Sequence, residues 1–196
     1  TYLKSGQYLL PMLKDDKRWI ADSTQIALYL DATYPEHALL RRDEKLREQA
    51  LEIDKLSGEL GVHVRRWSLA QALSVGDHPL EIMMGEQGYL RQFEKISKPI
   101  LKSLVSTNYK LNPEKVAKSK LRMTELITDL NQRLIDNQGR YLVGDRLGLA
   151  DIAICSILAP LLVIKGTPWE LESDNIEQFT GEIREYHDFL LDLPLG

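Results

Sequence analysis

Leu46, Ala50, Ile53, Ser57, Leu60, Val64 and Trp67 follow one another at alternating steps of four and three. That period belongs to an α-helix, where such positions fall on one side. From Asp43 onward the chain is therefore committed to a long helix with one face to bury. Other helices are the natural cover for such a face, so a helical bundle is expected. Gly58 and Gly61 interrupt this helix, and each weakens it by about 1 kcal/mol relative to alanine. Their expected use is close approach of another backbone.

The flanking patterns extend the bundle. Asn112-Pro113 reads as a helix start with proline at the first helical position. Val116, Met123, Ile127, Leu130 and Leu134 form the stripe behind it, and Gly139 suits its end. Asp174 and Glu177 have capping-box spacing ahead of Phe179, Ile183, Tyr186 and Leu190. Val75 to Gly88, punctuated by glycine and proline, reads as a loop or short helix.

The first 35 residues differ. Tyr8 to Leu13 and Trp19 to Ala21 read as short strands around a Lys14 to Arg18 turn. A helix from Ser23 to Tyr34 follows on Ile26, Leu30 and Tyr34, and "YPEHALL" ends it. Pro11 cannot donate to a strand ladder, so it marks an edge or a special backbone site. The expected fold class is mostly α with a small α/β part, joined through a linker near residues 35 to 43. Two strands and one helix cannot bury a core alone. About half of that module is thus expected upstream of Thr1, or from elsewhere.

Composition narrows the partners. The 196 residues are 43% hydrophobic and 28% charged, which suits a soluble chain with a real core. A formal net charge of −4 argues against nucleic acid or an anionic membrane as the main partner. No apolar run reaches the roughly 20 residues of a membrane span, and no signal peptide is visible. His37, His63, His78 and His187 are scattered without metal-ligand spacing, so no metal is expected. The single cysteine, Cys155, forbids an internal disulfide and points to a reducing, cytoplasmic setting.

Two blocks carry a family resemblance. "SGQYLLPMLKDDKRWIADSTQIALYLDATYPEHALL" resembles the second half of the thioredoxin-like domain of glutathione S-transferases. "YLVGDRLGLADIAICSILAPL" resembles the start of the central helix of that family's helical domain. Their order and separation agree with the family. The resemblance implies a partial thioredoxin-like glutathione-binding domain at residues 1–35 and an all-helical domain at 43–196. It also implies that Pro11 is a cis-proline with the Leu10 backbone facing the cysteinyl part of glutathione. Asp22 and Ser23 then grip the γ-glutamyl end. Gly148 and Asp151 match the structural cap of the central helix.

Elementary chemistry supports those roles. The γ-glutamyl group carries a carboxylate and an ammonium on one carbon. A helix N-terminus offers unpaired N–H groups to the carboxylate, Ser23 adds a hydroxyl, and Asp22 can pair with the ammonium. The same Asp22, with Gln25 three residues on, is also an ordinary capping box worth about 1 kcal/mol. The second block departs from its family by placing Gly148 where serine or threonine is usual, leaving the Asp151 carboxylate to cap the Gly148 amide without a reciprocal side chain.

Other residues have plainer readings. Cys155, with Ile152, Ile154 and Ile157 around it, is expected to be a buried and inert thiol. Met83, Met84 and Tyr89 suit core or loop packing, with a hydrophobic substrate pocket as the alternative. Trp67 belongs to the helical seam. By resemblance the chain is expected to be a glutathione transferase joining the glutathione thiolate to a small hydrophobic electrophile, working as a homodimer with glutathione as co-substrate. The activating Ser, Tyr or Cys of this family lies in a segment expected upstream of Thr1, so no catalytic residue is assigned. A non-catalytic assembly module and a glutathione-dependent reductase or isomerase stay open as alternatives.

Overall fold

The computed structural model describes residues 11–77, 80, 84, 93–162 and 182–195. An antiparallel hairpin comes first, with β1 (Met12–Asp15) paired to β2 (Arg18–Ala21) so that Met12 faces Ala21 and Asp15 faces Arg18. Helix α1 (Ser23–Thr33) follows, then a 3-10 turn at Pro35–His37. Five more helices complete the described chain: α2 (Glu44–Val75), α3 (Glu94–Asn108), α4 (Pro113–Asp136), α5 (Leu149–Leu162) and α6 (Glu182–Leu191). The class is the expected one, mostly α with a small two-stranded part. The hairpin turn is tighter than predicted, confined to Asp16 and Lys17. Tyr8 to Leu10, most of Val75 to Gly88, and Asp174, Glu177 and Phe179 lie outside the described residues.

The seam predicted for α2 is its buried face. Ala50, Ile53, Ser57, Leu60, Val64 and Trp67 are all buried, and Leu46 is half-buried near the start. Asp43 caps this helix by accepting the Leu46 amide at 2.9 Å. The predicted α4 stripe behaves likewise: Met123, Ile127, Leu130 and Leu134 join the same core, and Asn112 caps the helix through the Lys115 amide. At its far end the Gly139 amide bonds Leu134 O at 2.7 Å and the Gln138 amide bonds Ile135 O at 3.1 Å. Gln138 and Gly139 both take left-handed backbone there, at φ 68° and 72°, so the helix closes in a Schellman turn. Helix α2 packs chiefly on α5 and α4.

Three expectations need correction. A Cβ on Gly58 would meet nothing within 4 Å, so no backbone approaches it. At Gly61 the neighbour is a side chain: a Cβ would stand 3.0 Å from Ile157 Cδ1. Cys155 is exposed, as is Ile152 on the same side of α5. Partial desolvation and the Asp151 carboxylate nonetheless hold the Cys155 thiol above its ordinary pKa. Met84 is 4% exposed and accepts a hydrogen bond from Ser97 Oγ at its sulfur, which places it in packing.

A polar clamp joins α2 to α4. Arg66 donates through Nε to Tyr109 O and through NH1 to Ser119 Oγ, both at 2.8 Å. Ser119 is fully buried and lies 3.1 Å from His63 Nδ1. With Arg66 donating to one lone pair of that hydroxyl, a neutral imidazole can accept the hydroxyl proton at Nδ1. Desolvation first, then the Arg66 cation, push the His63 pKa down, against a raising pull from Glu59 and with a further lowering from Arg122. A base whose folded pKa lies below its unfolded value binds fewer protons when folded. Its contribution to stability is present above the unfolded value near 6.5 and is lost as pH falls below it through the lower folded value. Urea midpoints measured from pH 8 to pH 5 should therefore fall more steeply for the parent than for His63→Gln. Parallel curves would count against the clamp.

The linker is held from both sides. Asp31, on the last turns of α1, accepts the Leu39 amide at 2.9 Å and the Leu40 amide at 2.8 Å. Arg146 donates to Ala38 O at 3.2 Å, while Arg41 donates to Arg146 O. Thr24 Oγ1 donates to Asp54 Oδ2, tying α1 to α2 directly.

Candidate functional site

The hairpin delivers the chain to α1 with no intervening loop, since β2 ends at Ala21 and the helix begins at Ser23. Asp22 occupies the single position between them. Its Oδ1 accepts the Gln25 amide at 3.1 Å and its carbonyl accepts the Ile26 amide at 2.9 Å. Asp22 thus caps α1 as its spacing to Gln25 predicts.

Capping does not account for the backbone of Asp22, which stands at φ 77° and ψ 128°. L-residues avoid that region, and holding one there costs on the order of 1–3 kcal/mol. Two other caps in this molecule show that the task does not need it. Asp43 and Asn112 bond the equivalent amide from ordinary extended backbone, at φ −64° and −84°. The strain at Asp22 is therefore not required by the cap. Asp22 and the adjoining Ser23 are both exposed at the open start of α1. The first amides of that helix have no partner within the helix by its geometry.

The sheet register brings a second predicted residue to this end. Pro11 immediately precedes β1, whose first residue Met12 pairs with Ala21, the residue before Asp22. Pro11 is exposed. Leu10 and the bond preceding Pro11 lie outside the described residues. The hairpin that presents these groups is braced by Tyr29, which donates from α1 to Asp15 Oδ2 and lies under the Arg18 guanidinium at 5.5 Å. An acid, a hydroxyl and free amides at one helix start suit a ligand bearing a carboxylate beside an ammonium.

At the head of α5, Asp151 is 8% exposed and accepts twice, from the Leu142 amide at 2.7 Å and the Gly148 amide at 2.8 Å. Gly148 has a local reason to be glycine: a Cβ there would meet Leu39 O of the linker at 3.0 Å. Asp31 was not singled out from sequence. Its one signal is an acid in the last turns of a helix, where the dipole disfavours it. Among the described residues no cluster of three or more His, Cys, Asp or Glu side chains is placed to hold a metal.

The profile of the glutathione S-transferase C-terminal domain matches residues 89–188. That is just over half of the chain, and the protein belongs to the glutathione S-transferase family. Neither a curated protein nor a solved structure gives a significant match.

Proposed function

We propose that this protein is a glutathione transferase that seats the γ-glutamyl end of glutathione at Asp22 and Ser23. In this reading residues 1–35 belong to a thioredoxin-like glutathione-binding domain and 43–196 to the helical domain. Pro11 and the Leu10 backbone receive the cysteinyl part, and glutathione is co-substrate with no metal. The thiolate attacks a small hydrophobic electrophile, its sulfur forming the new bond while the leaving group or the adduct takes the electron pair. The active form is a homodimer, and no activating residue is assigned.

Family membership supports the reading, and the strained backbone of Asp22 carries it. A conformation that costs energy, at an exposed position whose capping duty is met elsewhere without strain, is best explained by a ligand that needs the carboxylate aimed there.

Calorimetric titration with glutathione tests this. Asp22→Ala should weaken binding on the order of tenfold or more, since a charge-assisted bond contributes about 1.5–3 kcal/mol. Asp43→Ala loses a similar cap and should bind like the parent. A parent that does not bind glutathione, or an Asp22→Ala variant that binds equally well, would sink the reading and leave an assembly module in its place.

A further inference from the structure

Ala27, Leu28 and Asp31 lie three, four and seven residues beyond Thr24 on α1, so the four share one side of that helix. That side faces the bundle. Ala27 is buried in the core, and Leu28 packs against it. Asp31 holds the foot of the helix through the Leu39 and Leu40 amides. Thr24 holds the head: its Oγ1 donates to Oδ2 of Asp54, a half-buried acid on α2 that stands 30 residues further along the chain.

The head is the end that carries the candidate site. Asp22 takes the Gln25 amide with Oδ1 and the Ile26 amide with its carbonyl. The Ser23 and Thr24 amides are then the two that α1 cannot satisfy itself, and they are the donors that a ligand's carboxylate would meet. Thr24 therefore contributes one of those amides and also the tie to α2. A β-branched side chain is stiff at χ1, so anchoring its hydroxyl orients the main chain that bears it. Without the anchor the first turn would pivot on Ala27 and Asp31, and hydrogen bonds weaken steeply once bent.

We propose, building on the glutathione seat at Asp22 and Ser23 argued above, that Asp54 is its positioning residue and acts through Thr24. Asp54 does not touch the ligand. Its carboxylate fixes the Thr24 hydroxyl and, through it, the bearing of the first-turn amides. The helical domain thereby takes part in binding the amino-acid head of the tripeptide, by setting where α1 begins.

Calorimetric titration of the full chain with glutathione, run beside urea denaturation, tests this. Asp54→Ala and Thr24→Val should each weaken binding on the order of tenfold, and the double variant should be no weaker than either single one, since both remove the same bond. Thr24→Ser keeps the hydroxyl and Asp54→Asn keeps an acceptor oxygen, so each should bind within about twofold of the parent. Asp43→Ala, which loses the cap of α2, shows what a weakened bundle does by itself and should not share the loss. Losses that add in the double variant would overturn the proposal. So would an Asp54→Asn variant as weak as Asp54→Ala, which would give Asp54 a direct charge contact with the ligand. A parent that binds glutathione, loses it with Asp22→Ala and keeps it with Asp54→Ala would overturn this inference alone. A parent that does not bind at all would overturn the seat as well.

Discussion

Asp151→Ala should lower the unfolding free energy by about 3–5 kcal/mol, read from urea denaturation. The carboxylate is buried and joins two amides nine and three residues back, Leu142 and Gly148. Each is a charge-assisted bond, and alanine leaves both donors sealed from water without a partner. Asp151→Asn should recover little of the loss, because its single carbonyl oxygen can satisfy one amide while its NH2 group faces the other. The chain supplies no reciprocal cap at Gly148, so nothing local takes over. A loss below about 1 kcal/mol would show that the loop from Leu142 to Gly148 is held by its apolar contacts rather than by this acid.

Trp67→Ala should cost about 3–5 kcal/mol, the usual range for removing a buried aromatic. The indole is 2% exposed and packs at 5.0 Å, ring centre to ring centre, on Tyr186 of α6, which in turn meets Phe189 edge-on at 5.5 Å. The loss should extend beyond a cavity in α2, since Tyr186 is a principal contact of α6 with the core. The informative partner is Trp67→Phe. Trp67 Nε1 is buried with no hydrogen-bond partner, a penalty of about 1–3 kcal/mol that phenylalanine removes. The two effects oppose, and Trp67→Phe should fall within about 1.5 kcal/mol of the parent. A loss as large as that of alanine would mean that the indole's volume alone decides.

The long helix was legible because its seam repeats seven times and each member is apolar or small. Periodicity reports which side faces inward, and Leu46 to Trp67 needed nothing else. The same logic misread α5. A segment apolar on every side looks buried on every side, yet Ile152 and Cys155 are exposed. Composition reveals a residue's preference and not the number of its neighbours. At the candidate site the residue types at 22 and 23 could be read, and so could the cap. The backbone twist at Asp22 could not, because nothing in an aspartate's identity distinguishes φ 77° from φ −64°. Asp31 escaped for a related reason: its partners are main-chain amides, which every residue has and no sequence marks.

The stretch between α1 and α2 behaves as a splint rather than a swivel. Asp31 grips it from the first helix, Arg146 and Arg41 bind it to the loop ahead of α5, and the Leu39 carbonyl rests against Gly148. The placement of α1, and of the Asp22 cap at its start, is thereby tied to the bundle. Damage at the head of α5 would be felt some hundred residues earlier in the chain, as lost precision at the start of α1.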